Sequence, residues 1–174
     1  MMPSLIDTHC HLHFPPYKDD LDQVLTRMHE KNMWGITIGT SLGNSERGIR
    51  FAEQHKGIWA TVGLHPEHFT SDFHDEQEGE AHEASLDVVR LKELALSSKK
   101  VVGIGETGLD FFRIDEGKDV AESRLTQEKA FLEHHRVAYE VNLPLVIHCR
   151  DGLIRLAELI QREQGTGRAV RGVI

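Results

Sequence analysis

The chain has 174 residues, and its 28 Asp and Glu outnumber its 20 Lys and Arg, which gives a formal net charge of −8. This length is enough for one domain with a proper core. The acidic balance argues against a broad basic surface that binds nucleic acid through its phosphates. It does not exclude a nucleic-acid substrate that metal ions hold locally. No run approaches the ~20 consecutive apolar residues of a membrane span, so a helical membrane protein is not expected.

Apolar, β-branched runs recur along the chain and alternate with amphipathic stretches. Strands are predicted over residues 5–12, 34–40, 58–64, 100–106 and 144–148, with a sixth beginning within 169–174. Helices are predicted over residues 20–30, 44–55, 84–96, 123–141 and 152–164, the second of them opening on Asn44 as a cap. Strand–helix alternation at this spacing predicts right-handed βαβ units and a parallel sheet.

One segment interrupts this alternation. Residues 70–85 are acidic and rich in histidine and have no apolar period. This pattern is typical of a solvated loop, and a second metal site in the segment is the alternative.

The N-terminus and the cysteines bear on location. Residues 1–6 lack a basic region followed by an apolar core, so no signal peptide is expected. Cys10 and Cys149 lie inside strand-like segments beside histidines, which favours a reduced, cytoplasmic protein in which both thiols are apolar fillers.

The first predicted strand carries a His-x-His pair. Side chains alternate along a strand, so His9 and His11 point to one side and Cys10 to the other. Two neighbouring imidazoles suit a divalent metal, and Asp7 on the same side could support one of them from behind. Coincidence in a chain with 12 histidines is the alternative.

Other predicted strands end in residues of the same chemical kind. His65 follows the third strand, Glu106 ends the fourth and His148 ends the fifth. In a parallel α/β barrel all carboxyl strand ends face one side, so these residues would converge with His9 and His11 on a metal site.

Each of these residues also has a structural alternative. Glu106 could be an acid in a surface turn, and His148 could be a histidine satisfied within the core. His65 precedes Pro66, so a structural role and a substrate contact are both open.

Two arginines lie just beyond strand ends. Arg113 and Arg150 could form salt bridges, yet the guanidinium is also the usual fork for a phosphate. Both are therefore candidates for substrate binding.

Four motifs together resemble the TatD family of metal-dependent deoxyribonucleases. They are Ile-Asp-Thr-His-Cys-His-Leu from residue 6, Val-Gly-Leu-His-Pro from 62, Ile-Gly-Glu-Thr-Gly-Leu-Asp-Phe from 104 and Pro-Leu-Val-Ile-His-Cys-Arg-Asp from 144. The resemblance spans residues 6–151 and implies a TIM-barrel fold, a divalent metal centre and phosphodiester hydrolysis. The expected substrate is a nucleic-acid end, DNA and possibly RNA, cleaved as by a 3′–5′ exonuclease.

The resemblance also implies roles for single residues. His9 and His11 match ligands of one metal, Glu106 matches the carboxylate shared by both metals, and His148 matches a ligand of the second. It thus implies two divalent ions, Mg, Mn or Zn, with Glu106 and His148 as the catalytic residues. The substrate contacts expected beside them are His65, Arg150 and Arg113.

The chain departs from the family pattern after residue 151. That pattern continues with another strand-end His and then an Asp, whereas this chain ends at Ile174 where the sixth strand begins. A barrel of this kind usually needs about 250 residues, so residues 1–174 are expected to form a single partial (β/α) barrel domain with five to six βα units. We expect a fragment of a longer protein; a truncated product, or completion by another chain, are the alternatives.

Two other functions are alternatives to the nuclease. One is a TIM-barrel metallohydrolase that cleaves C–N bonds or a phosphomonoester; a carboxylated Lys on the fourth strand would favour the C–N type, and Glu106 in that place favours the nuclease. The other is an inactive fragment that lacks part of the metal site.

Overall fold

Six parallel strands hydrogen-bond to one another in the order in which they follow along the chain. The computed structural model describes residues 2–70, 85–114 and 117–174. The strands are β1 Leu5–Cys10, β2 Met33–Thr37, β3 Ile58–Val62, β4 Val101–Asp110, β5 Leu145–Arg150 and β6 Gly172–Val173. A sheet in sequential order is that of a (β/α) barrel, whereas a doubly wound sheet reverses its order partway.

Helices connect the strands, as the alternating pattern predicts. Within the described residues they are α1 Leu21–Glu30, α2 Leu42–Gln54, α3 Val88–Ser97, α4 Val120–Val141 and α5 Leu153–Gly165. Two 3-10 helices, Pro15–Tyr17 and Pro66–Phe69, follow the first and third strands. The order of elements is therefore confirmed, with bounds that differ by a few residues; the predicted loop at 70–85 lies outside the described residues except for its two ends.

The predicted cap of α2 is wrong. Ser41 caps this helix by accepting a hydrogen bond from the backbone N–H of Asn44, so the helix begins at Leu42. Asn44 is buried inside the first turn, where its Oδ1 accepts from the backbone N–H of Thr40 and lies 2.8 Å from Nε2 of His13. Both residue types are good caps, and the tertiary contacts of Asn44 decide between them.

The central strands are more deeply buried than the outer ones. Apolar residues of β3, β4 and the start of β5 pack with the inward faces of the helices in one core. β4 is buried along almost its whole length, whereas β1 and β6 are largely exposed. Burial on both faces is typical of parallel strands covered by helices. The carboxyl end of β4 is therefore the best enclosed part of the strand-end edge.

β4 is irregular at its most informative residue. Its pairing with β5 is regular up to Ile104 and resumes at Thr107 with a shift in register, so Gly105 and Glu106 lie in an irregularity. The backbone N–H of Glu106 donates instead to the carbonyl oxygen of Gly39, at 2.7 Å. Irregularities of this kind redirect side chains beside functional sites, and here it determines where the Glu106 carboxylate lies.

Candidate metal centre

Glu106 lies between two histidines at the carboxyl edge of the sheet. Its Oε2 is 3.5 Å from Nε2 of His9, and its Oε1 is 3.4 Å from Nδ1 of His148. The residue is only 8% exposed. One buried carboxylate is thus shared by imidazoles from two strands, β1 and β5, that are not neighbours in the sheet.

The first cluster comprises His9, His11 and Glu106, whose ligand atoms all lie within 4.8 Å of one another. The two histidine rings meet edge to face, with centroids 5.4 Å apart. Nδ1 of His11 is 3.3 Å from the carbonyl oxygen of Ile38. Since a carbonyl only accepts, Nδ1 carries the proton in this bond and the neutral ring presents Nε2 as its acceptor.

Asp7 supports this cluster through the main chain. Its Oδ1 accepts a hydrogen bond from the backbone N–H of His9, at 3.0 Å. The contact is with the backbone and not with the ring, so Asp7 fixes the course of the strand end that carries His9.

The second cluster comprises His65, Glu106 and His148, again with ligand atoms within 4.8 Å of one another. The rings of His65 and His148 are packed edge to face, with centroids 4.4 Å apart. His65 sits in the turn after β3, where its backbone N–H donates to the carbonyl oxygen of Thr40. The structure thus brings together all five residues that the strand-end pattern predicts to converge.

Asp110 also lies at this site, although the strand-end pattern predicts no role for it. It is fully buried at the end of β4, and its Oδ2 lies 3.0 Å from Nε2 of His148. Its other oxygen accepts from the backbone N–H groups of Phe112 and Arg113. A carboxylate bound to one ring nitrogen orients a histidine and leaves the other nitrogen for a metal. The sequence does offer a signal for this role, because Asp110 lies in the same motif as Glu106.

Burial and neighbouring charges shift the pKa of residues in both clusters. Burial opposes ionisation of Glu106, but hydrogen bonds with His148 and His9 hold its pKa well below the usual range. Burial likewise opposes protonation of His148, yet Asp110 and Glu106 raise its pKa to about 9. The hydrogen bond with Glu106 raises the pKa of His9. A proton on His148 thus offsets part of the negative charge of the two carboxylates.

The donor set fits a divalent metal. Imidazole nitrogens and a carboxylate oxygen are ligands for zinc, manganese and related ions. The two clusters share Glu106, and the buried carboxylate keeps its charge because its pKa is low. A histidine held by a carboxylate on its far nitrogen, as His148 is held by Asp110, is typical of metal ligands in proteins.

The two predicted phosphate-binding arginines have other partners close by. Arg113 forms an ion pair with Glu67, with Nη1 and Oε2 2.6 Å apart. The guanidinium of Arg150 stacks on Phe112, 3.7 Å from the ring centroid, and the residue is exposed. The structure therefore keeps both near the strand-end edge, Arg113 in a salt bridge and Arg150 on an aromatic face.

The cysteines take no part in either cluster. Both are free thiols. Burial raises the pKa of the Cys10 thiol to about 12, and it donates to the carbonyl oxygen of Ile36. Burial also raises the pKa of Cys149. Protonated thiols are poor nucleophiles, and both residues pack against the core as expected.

The site defines a class of protein: a parallel (β/α) barrel sheet with a candidate metal centre at the carboxyl ends of its strands. The chain belongs to the family described as TatD related DNase, whose family model matches residues 6–174. The family resemblance that the four motifs carry is thereby confirmed.

Curated relatives support this membership. The chain is 35% identical to the 3′-5′ ssDNA/RNA exonuclease TatD of Cronobacter sakazakii over 145 residues, 83% of this chain and 48% of that protein. It is 33% identical to the uncharacterized metal-dependent hydrolase YabD of Bacillus subtilis over 171 residues, 98% of this chain and 59% of that protein. The chain thus spans about half the length of the curated relatives it matches.

Solved structures share the fold. The TatD homologue YJJV of Escherichia coli K12 superposes with a TM-score of 0.72 at 29% identity, covering 93% of this chain and 57% of that chain. An uncharacterized amidohydrolase from Saccharomyces cerevisiae gives 0.67 at 19% identity, over 93% of this chain and 52% of that one, which shows the fold alone. The predicted TIM-barrel fold is therefore confirmed. No helix in the described ranges is long and apolar enough to cross a membrane.

Proposed function

We propose that the protein is a divalent-metal-dependent hydrolase that cleaves phosphodiester bonds at nucleic-acid ends, as a 3′–5′ exonuclease of DNA and possibly RNA. The observation that carries the proposal is the sharing of Glu106 by two histidine clusters at the strand ends. The name of the Cronobacter sakazakii relative, a 3′-5′ ssDNA/RNA exonuclease, supports the choice of substrate.

Two ions, Mg, Mn or Zn, would be held around Glu106. His9 and His11 are proposed for the first ion and His148 for the second, with Glu106 common to both. When bound, the ions would supply polarisation of a phosphate and a water of lowered pKa. Glu106 would hold both cations by staying ionised, and Asp110 would keep the His148 proton on Nε2, away from Glu106.

Substrate contacts are proposed for His65, Arg150 and Arg113. The guanidinium of Arg150 is the best suited of the three to orient a phosphate, because the residue is exposed and its contact within the described residues is with the Phe112 ring, not with a carboxylate. Arg113 would have to exchange Glu67 for the phosphate. His65 could also be a metal ligand, because its ligand atom lies within 4.8 Å of those of Glu106 and His148. Its alanine variant separates the two roles, because losing a ligand lowers metal affinity and losing a substrate contact raises KM.

We also propose a location and a domain structure. A reduced, cytoplasmic setting fits two thiols that are both free. We also propose that residues 1–174 form one partial (β/α) barrel domain, because one sheet runs through all of the described strands.

The test is Glu106→Gln in the intact protein, with Glu140→Gln as the matched control. Glu140 pairs with Lys92 on the surface, so its amide variant should behave as the parent. Glu106→Gln should lose both metal binding, measured by titration calorimetry, and metal-dependent release of nucleotides from a single-stranded oligonucleotide. Full activity in Glu106→Gln would overturn the proposal, as would turnover by the parent of a cyclic amide or a small phosphomonoester in place of the oligonucleotide.

A further inference from the structure

Helix α4 buries several polar side chains, and two of them have no exposed surface. Gln127 and His134 are both fully buried, one on each side of Phe131, which fills the core between them. Positions three, four and seven residues apart share one face of a helix. Burying a polar group is costly unless it is hydrogen-bonded, so the partners of these two residues show what they do.

His134 holds the turn that carries His65. Its Nε2 accepts a hydrogen bond from the backbone N–H of Leu64, at 3.1 Å, and its Nδ1 donates to the carbonyl oxygen of Ala130, at 2.7 Å. These bonds define a neutral ring with the proton on Nδ1. Leu64 is fully buried, so without His134 its N–H would be left unsatisfied inside the protein.

Gln127 holds the end of β4 in a similar way. Its Oε1 accepts from the backbone N–H of Asp110 at 2.8 Å, and its Nε2 lies 2.9 Å from both the carbonyl oxygen of Asp110 and Oγ1 of Thr70. The side-chain amide of Gln127 thus forms hydrogen bonds with both backbone polar groups of Asp110. The carboxylate of the same residue orients the ring of His148.

We propose that Gln127 and His134 are positioning residues for the second cluster. His134 sets the place of His65, and Gln127 sets the place of Asp110 and, through it, of the His148 ring. Within the described residues, neither is among the metal-ligand candidates, and the bonds that they make are to backbone groups and to the Thr70 hydroxyl. The inference rests on the proposed function for its catalytic consequence, but the placement of the two rings can be measured in the metal-free protein.

The first readout is the histidine ring resonances of His65 and His148 in the metal-free, intact protein. His134→Leu should shift those of His65, and Gln127→Leu those of His148, each with little change at His11. His134→Gln should restore the parent spectrum, because its amide offers one acceptor and one donor. Phe131→Leu is the matched control, since it weakens the same helix face without removing a bond to a strand end.

The second readout is titration with cobalt(II), followed by absorption, together with kcat and KM on a single-stranded oligonucleotide. Loss of outer partners of metal ligands typically lowers affinity or activity about 10–100-fold. Gln127→Leu should therefore weaken the second equivalent of cobalt and lower kcat by about tenfold or more, with KM unchanged. His134→Leu, which displaces the proposed substrate contact His65, should raise KM. Both variants should leave the first equivalent of cobalt unchanged. His134→Gln should stay close to the parent.

Equal effects from His134→Leu and Phe131→Leu at matched stability would overturn the proposal, as would unshifted His65 and His148 resonances. If the leucine variants do not fold, His134→Asn replaces them, because its shorter amide cannot span both partners, and the same resonance shift is required of it. A parent that binds no metal or cleaves no oligonucleotide would refute the proposed function. The resonances would still decide the positioning role.

Discussion

The two clusters that share Glu106 are built differently. The first lies on β1, where Asp7 bonds to the backbone N–H of His9 and not to its ring. The second lies between β3 and β5, where Asp110 holds His148 from behind and α4 holds the backbone. A buried, fully bonded network fixes geometry, whereas a histidine ring with fewer supporting bonds can adjust. We therefore expect the second cluster to be preorganised and the first to adapt to its ligand.

The largest effect on activity is expected when one histidine is removed from either cluster. His148→Ala and His9→Ala should each lower kcat on the order of 10³-fold, because losing an ion that stabilises transition-state charge costs several kcal/mol. Metal titration should show that each variant keeps the equivalent bound by the other cluster. If one variant lost both equivalents and the other lost neither, the two clusters would not be separate sites.

The stability of the protein should depend on pH through His134, which supports the second cluster. Burial lowers the pKa of His134 to about 4. As the pH falls, this histidine is therefore protonated in the unfolded chain before it is protonated in the folded one. The stability that His134 contributes is present above the ordinary histidine pKa of about 6.5 and is lost as the pH falls towards 4, by about 3 kcal/mol. Urea unfolding at pH 7 and pH 4 should show a loss smaller by this amount in His134→Gln. Equal losses in the two proteins would show that His134 is not buried in its neutral form.

Asp110→Asn tests the single bond between this carboxylate and the His148 ring. The amide can still contact His148, but it no longer holds a proton on Nε2, so the ring loses its fixed tautomer. The second equivalent of metal should bind about 10–100-fold more weakly, with the first unchanged. Calorimetric titration measures both. Equal weakening of both equivalents would instead indicate a general disturbance of β4.

The smallest expected effect concerns the backbone contact beside Glu106. A Cβ at residue 63 would lie 2.6 Å from the carbonyl carbon of Gly105 and 2.8 Å from the backbone oxygen of Glu106, so β3 or β4 would have to move. Gly63→Ala should therefore cost about 1–3 kcal/mol of stability, the usual range for overpacking, and should weaken both clusters. Gly165→Ala is the control, because no atom lies within 4 Å of its added Cβ. Similar melting temperatures for the two variants would contradict the close approach.

Much of the fold and the convergence of the site could be predicted because both follow from local patterns. Alternating strands and helices predict a parallel sheet, and parallel strands bring their carboxyl ends to one edge. That reasoning places Glu106 near His9 and His148 although the three are spread along the chain. It needs no knowledge of side-chain contacts, only of where each strand ends.

The supporting residues could not be predicted in this way. The bond from Leu64 to His134 joins residues 70 positions apart, and that from His148 to Asp110 joins residues 38 apart. In sequence, a His or Gln within an amphipathic helix is indistinguishable from a surface residue. The misassigned cap at Asn44 has the same cause, because its contact with His13 spans 31 residues. Such pairings depend on how helices pack on the sheet, which no local pattern specifies.

The central claim is that one carboxylate serves two metal sites. Anomalous diffraction from crystals of the intact protein grown with manganese tests it most directly. The account predicts two peaks, both next to the Glu106 carboxylate, one on the side of His9 and His11 and one on the side of His148. A single peak, or peaks that do not contact Glu106, would contradict it.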